Sequence, residues 1–229
     1  MTNLNSCSVL LLLWVITVNA NSAQLEQKTW HFNQLAKIAG HHIDIEGQPK
    51  LINASQLTST IFDGENDRLQ IQGNIVANMR TFTLELVLKP YGPTPKGQEP
   101  RIIHIEDPIN SQHRITLEMR FTEQNRWYLD AFLMDGDSKY TLIDAKYSHP
   151  LNQWANIALS YDNDNSRFTS YVNGHAELST QLDFSPMTKH ANTSAGARMN
   201  KVHYFHGELL TLRASNKVLS HAEFLTRPR

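Results

Sequence analysis

Cysteine is almost missing from this 229-residue chain: the single one, Cys7, lies ahead of an apolar run that begins at Val9. A chain that has lost this leader holds no thiol, which excludes disulfides, thiolate catalysis and cysteine–zinc sites. An excess of charge of either sign is missing too. The formal net charge is -1, so neither nucleic acid nor an acidic membrane surface is expected as a partner. Apart from Val9–Val18 no stretch approaches the ~20 apolar residues that span a bilayer, and membrane insertion is not expected. Internal repeats and low-complexity tracts are lacking as well.

What is present at the N-terminus is a targeting signal. The run Val9–Val18 has the length of a signal-peptide core, and small-residue cleavage options follow at Val18-Asn19-Ala20 and Asn21-Ser22-Ala23. Residues 1–23 are therefore expected to be a signal peptide and 24–229 one exported domain, secreted or periplasmic. Export without disulfides fits a bacterial periplasm or medium better than animal secretion. Hydrophobic residues at 40% and charged residues at 19% suit an ordinary globular domain, long enough to bury a core unaided. The sequons at Asn53 and Asn192 are short enough to arise by chance.

The stretch His149–Gly174 predicts a β-hairpin. Residues alternate along 153–162 and again along 167–172, around the polar turn Asp-Asn-Asp-Asn-Ser. Asn173-Gly174 suits a tight turn with positive φ at both positions, so a third strand should fold back over 175–180. Further strands are expected at 81–90, 101–106, 114–122, 126–134, 138–143, 193–199 and 203–212, with early strands between Trp30 and Glu46. Asn74–Asn78 is expected to form one helical turn. Leu219–Phe224 is expected to be a short helix, with Ser220 and Glu223 as a capping box. The Pro/Gly-rich segment Tyr91–Pro100 reads as a rim loop. Trp30 and Trp154 are expected in the core.

The string PLNQWANIALSYD…FTSYVNG resembles the centre of laminin G-like, concanavalin A-like domains, in which a Trp opens a strand ending in Tyr-Asp and the next ends in Val-Asn-Gly. Phe62-Asp63-Gly64, TFTLELVLKP, the Phe-x-Gly at Phe205–Gly207 and the closing Leu-Ser-x-x-Glu fit the same pattern, so the resemblance covers about Trp30 to Phe224. It implies an all-β, two-sheet antiparallel jelly-roll sandwich. It implies little about activity, since this fold hosts lectins, adhesion modules, glycosidases and lyases.

Four constellations are candidates for chemistry. His42-Ile43-Asp44-Ile45-Glu46 places two carboxylates on one strand face, as in retaining glycosidases, but His42 stands where a leading Glu belongs. A β-eliminating lyase would need Arg to neutralise a uronate and His or Tyr to move protons. His104, Arg120, Tyr204 and His206 are the candidates for that catalysis, with Glu118 beside them. Asp63 and Asp67 around Gly64 are candidate ligands for a structural Ca²⁺ ion. Sugar binding uses aromatic faces with planar polar groups; Tyr91, Trp127, Tyr128 and Tyr204 are the candidate aromatics, and Tyr91, Trp127, Glu118 and Arg120 the expected ligand-binding set. Alternation allows only one of Trp127 and Tyr128 to line a groove. The expected function is non-enzymatic recognition of a polysaccharide or glycoconjugate. The alternatives are a polysaccharide lyase and an adhesion module binding a protein partner through loop 91–100.

Overall fold

The computed structural model describes residues 24–54 and 56–228; the expected signal peptide lies outside them. In chain order the strands are β1 (Gln27–His31), β2 (Lys37–Ile38), β3 (His41–Glu46), β4 (Lys50–Ala54), β5 (Leu57–Asp63), β6 (Arg68–Ile71), β7 (Phe82–Pro90), β8 (Arg101–Asp107), β9 (Asn110–Phe121), β10 (Arg126–Asp135), β11 (Ser138–Ile143), β12 (His149–Pro150), β13 (Ala155–Asp162), β14 (Arg167–Val172), β15 (His175–Gln181), β16 (Asn192–Ala195) and β17 (His206–Ser215). They form two antiparallel sheets. One runs β15-β14-β13-β7-β17-β5-β4, with β1 paired to β17. The other runs β11-β10-β9-β8-β16-β6-β3-β2, with β12 paired to β10.

Alternation builds the core between them. Leu84, Leu86, Ile157 and Leu159 point inward from the first sheet, and Ile105, Ile115, Leu117 and Leu133 from the second, all at 0% exposure. The hairpin forms as its sequence dictates. Asn173 and Gly174 take φ of 53° and 78°, and the Asn173 side chain caps the turn by accepting the Asn156 amide at 3.1 Å.

The outer face of the first sheet is covered where it carries a charge. Arg213 donates to Glu85 Oε1 at 2.5 Å, while Asn156 and the amide of Leu225 donate to Oε2 at 2.9 and 2.8 Å. The C-terminal segment therefore buries a strand position that alternation alone marks as solvated, and Glu85 is 0% exposed.

Several local expectations change. Residues 74–79 make two overlapping four-residue turns, with Ala77 N donating to Asn74 O and Met79 N to Val76 O, and no helix. The C-terminal helix is one 3₁₀ turn, His221–Glu223, with the expected capping box. β16 stops at Ala195, because Gly196 turns the chain with φ of 88° and an added Cβ there would lie 2.3 Å from the Phe62 ring. β17 begins only at His206. Trp30 is in the core at 2% exposure, but Trp154 precedes β13 and is only half-buried.

Candidate functional site

The outer face of the second sheet gathers most of the chemistry. On β9, Arg114, Thr116, Glu118 and Arg120 alternate with Ile115, Leu117 and Met119, which are fully buried. On β10, Tyr128, Asp130 and Phe132 share that outer face, while Trp127, Leu129 and Ala131 point to the core. Register then lines the side chains up across strands. Asp130 pairs with Glu118, and Glu118 with Arg101. In the next row Thr141, Phe132, Thr116, His104, Ser194, Gln70 and Asp44 follow one another from β11 to β3.

These rows form a cleft of about 190 Å³ lined by Arg101, His104, Arg114, Thr116, Glu118, Arg120, Asp130, Phe132, Thr141 and Arg198. Arg101 Nε meets Glu118 Oε1 at 3.0 Å, and Arg120 holds Asp130 Oδ2 through Nε at 2.8 Å and Nη2 at 2.7 Å. Arg120 also pairs with Glu99 from the rim loop. Burial, with the Asp130 charge beside it, pushes the Glu118 carboxyl up to about 7 despite its arginines. Burial likewise raises Asp130. His104 is 2% exposed, and its Nε2 faces Glu106 Oε2 at 3.1 Å. Desolvation holds the ring below the usual imidazole range, hence neutral. With Nε2 donating to Glu106, Nδ1 is a bare acceptor, and it has no partner among the described residues. A sheet face that concentrates perturbed titratable groups in a cleft has the physical character of a functional site.

Three of the expected site residues, His104, Glu118 and Arg120, meet here. The other members of the lyase set do not join them. His206 belongs to the opposite sheet, across from Asp63 on β5, with its ring 5.4 Å from that of Tyr91. Tyr204 precedes β17 and donates its hydroxyl to Lys201 O at 2.9 Å. Tyr91 also lies by the opposite sheet, its hydroxyl donating to the buried Glu208, which together with burial pushes the phenol well above its usual range. Trp127 is not a binding aromatic: it is 0% exposed and donates Nε1 to Pro150 O at 3.0 Å, so Tyr128 is the residue of that pair that faces outward.

Asp63 and Asp67 organise a turn. Asp63 Oδ1 accepts the amides of Glu65, Asn66 and Asp67, and these hold its carboxyl low against the opposing effect of burial. Asp67 accepts Gln48 N at 2.6 Å and Asp63 N at 3.0 Å. Three of the four carboxylate oxygens thus already serve backbone donors, and among the described residues no group of three or more His, Cys, Asp or Glu is arranged to hold a metal. The Asp44 and Glu46 carboxylates lie at the far end of the cleft's sheet face. Asp44 pairs with His42, and Glu46 with Arg68 and Lys201.

Arg101, Arg114, Asp130, Phe132 and Arg198 are site residues that the sequence reading passed over. Period-2 alternation from Glu118 and Arg120 already marks Arg114, and alternation from Tyr128 marks Asp130 and Phe132. Arg101 was hidden by a bulge: Arg101 and Ile103 sit opposite Glu118 and Leu117, so Arg101 replaces Ile102 on the His104 face. Arg198 falls within the strand expected at 193–199, but β16 ends at Ala195 and a loop carries it to the cleft.

The fold agrees with the comparisons. The chain matches the Laminin_G_3 family, the concanavalin A-like lectin/glucanases superfamily, over residues 63–224. It belongs to that family. No curated protein matches it. Among solved structures it is similar to domain 4 of AbnA, a GH43 extracellular arabinanase from Geobacillus stearothermophilus, solved with arabinotriose. That likeness has a TM-score of 0.66 at 16% identity over 85% of this chain and 94% of that one. It is also similar to the botulinum neurotoxin serotype G binding domain, with a TM-score of 0.60 at 11% identity over 85% of this chain and 48% of that one. A heptameric SAP-like pentraxin from Limulus polyphemus matches with a TM-score of 0.56 at 16% identity over 71% of this chain and 77% of that one.

Proposed function

We propose that the protein is an exported glycan-recognition module, binding a polysaccharide or glycoconjugate without turning it over, with its site in the β8–β9–β10 cleft. The observation that carries this reading is the state of the cleft's carboxylates. Glu118 and Asp130 are held by Arg101 and Arg120, an arrangement that fixes the hydrogen-bonding geometry offered to a ligand. Of the four residues a lyase would use, His104 and Arg120 lie on one sheet, His206 on the other, and Tyr204 in the loop before β17. A rigid strand-borne face with planar guanidinium, carboxylate and imidazole groups beside the half-buried Phe132 is the mixture that grips a pyranose. Two fold neighbours support a sugar ligand by analogy: the arabinanase domain was solved with arabinotriose and a botulinum neurotoxin binding domain with SialylT.

The test is affinity electrophoresis against plant, algal and bacterial polysaccharides, with reducing ends and unsaturated-uronate absorbance read on the same samples. Retardation without product, weakened at least tenfold by Arg120→Gln, is the expected result. Product formation on any polymer refutes the non-catalytic reading.

A further inference from the structure

Four arginines line the cleft, Arg101, Arg114, Arg120 and Arg198, against two lining carboxylates, with Glu99 and Glu106 at its margin. Arg101 and Arg120 have Glu118 and Asp130 as partners. Arg114 and Arg198 have no ion pair among the described residues. Arg114 donates to Ser111 O at 2.8 Å and lies over the Phe132 ring at 5.3 Å. Arg198 nevertheless lies close enough to repel both Arg101 and Arg114 in a partly buried site, with Glu106 and Glu118 opposing that effect at Arg114. In a protein whose net charge is -1, this is a local concentration, not a general basic surface.

A second, independent observation points to a ligand on this face, whose hydroxyl would satisfy the His104 acceptor. Three buried side-chain polar atoms lack partners among the described residues, and two of them, His104 Nδ1 and Arg68 Nε, sit on this sheet face. Ser194 links them: it is opposite His104 in register and takes Arg68 Nη1 at 3.4 Å. Native proteins leave few such groups unsatisfied, and those that remain call for an explanation.

We infer that the cleft selects an acidic sugar, a ring carrying a carboxylate or sulfate ester, with Arg114 and Arg198 gripping the oxyanion. The inference rests on the glycan-binding reading above. An oxyanion relieves the repulsion between the two unpaired guanidiniums and supplies the bidentate acceptor their geometry favours. Phe132, already beneath Arg114, offers the apolar surface against which a sugar ring packs. The cleft's size suits one acidic residue of a longer chain, with the neighbouring sugars lying along the Thr116–His104–Ser194–Gln70 row.

The experiment uses the full chain and paired ligands measured by calorimetry at low and physiological salt. Oligomers of galacturonate, glucuronate and mannuronate are each set beside their methyl esters, and a sulfated galactan oligomer beside its desulfated form. The expected result is an acidic member bound at least tenfold more tightly than its neutral counterpart. Arg114→Gln and Arg198→Gln should each cost about tenfold on that member only and flatten its salt dependence. Lys189→Gln, an exposed control, should change nothing, and matching melting temperatures confirm that the half-exposed arginine sites are replaced without unfolding. The carboxylate and sulfate arms identify which oxyanion is read. Equal binding of neutral and acidic members overturns this inference and leaves the glycan reading standing. Absence of binding to every member, neutral ones included, removes both.

Discussion

Glu118→Gln should make the protein more stable at high pH, although it removes a charge that faces two arginines. Glu118 is 5% exposed, and its carboxyl is raised from 4.5 to about 7, first by burial and then by the neighbouring Asp130. The sign follows from proton binding. Between pH 4.5 and 7 the folded state holds a proton on Glu118 that the unfolded state has lost, so stability from this group is full below 4.5 and declines as pH rises through 7. At about 1.4 kcal/mol per pKa unit, the decline amounts to about 3 kcal/mol. Glutamine resembles the protonated acid in shape, keeps an acceptor for Arg101 Nε, and does not titrate. Urea unfolding of the wild type and of Glu118→Gln at pH 4.5, 6, 7 and 8 gives the difference directly, and titrating groups that do not feel Glu118 cancel from it. The variant should be close to wild type at pH 4.5 and gain steadily up to pH 8. A difference independent of pH, or one that moves in favour of the wild type as pH rises, would show that Arg101 and Arg120 fully compensate the buried charge, and the electrostatic description of the cleft would be wrong.

Three further outcomes follow from the geometry. Trp127→Phe should destabilise the protein by about 2 kcal/mol, through lost core volume and the unpaired Pro150 carbonyl, while glycan affinity stays constant; paired unfolding and binding measurements check both. Gly196→Ala forces a Cβ against the buried Phe62 ring at a positive φ and should cost about 3 kcal/mol in denaturant unfolding, with little loss if that turn instead relaxes freely. Asp67→Asn leaves either Gln48 N or Asp63 N without its acceptor and should cost about 1–2 kcal/mol. In the same melts, calcium and chelator should give the same midpoint for the wild type, and a rise with calcium that this substitution abolishes would return the turn to the role of a metal site.

Alternation reports which side of a strand faces inward, and at most positions that was enough. It marked the core residues of β7 and β13, the hairpin around Asn173-Gly174, and Glu118 with Arg120 on one outward face. It does not report which sheet a strand joins. His104 and His206 both read as outward histidines on antiparallel strands, yet β8 and β17 belong to different sheets, and that division dismantles the lyase set. Two other failures have local causes. A bulge shifts phase, so a pattern extended from His104 selects Ile102 where the structure presents Arg101. Burial by a remote segment is invisible to local pattern, as Glu85 beneath the C-terminal residues shows. Trp127 erred for a simpler reason: a large aromatic beside an outward tyrosine must face the core, and its indole proton finds Pro150 O there.

The central claim is that ligand enters the β8–β9–β10 face. The most direct measurement is the arginine side-chain Nε–Hε region of a nitrogen–proton correlation spectrum, recorded while an acidic oligosaccharide is titrated in. The account predicts that the resonances of Arg114 and Arg198 move most, that those of Arg101 and Arg120 move with them, and that Arg213 on the other sheet and Arg227 in the C-terminal segment stay fixed. Shifts centred instead on Arg227 and the neighbouring Trp154 indole, with the cleft arginines unmoved, would contradict it.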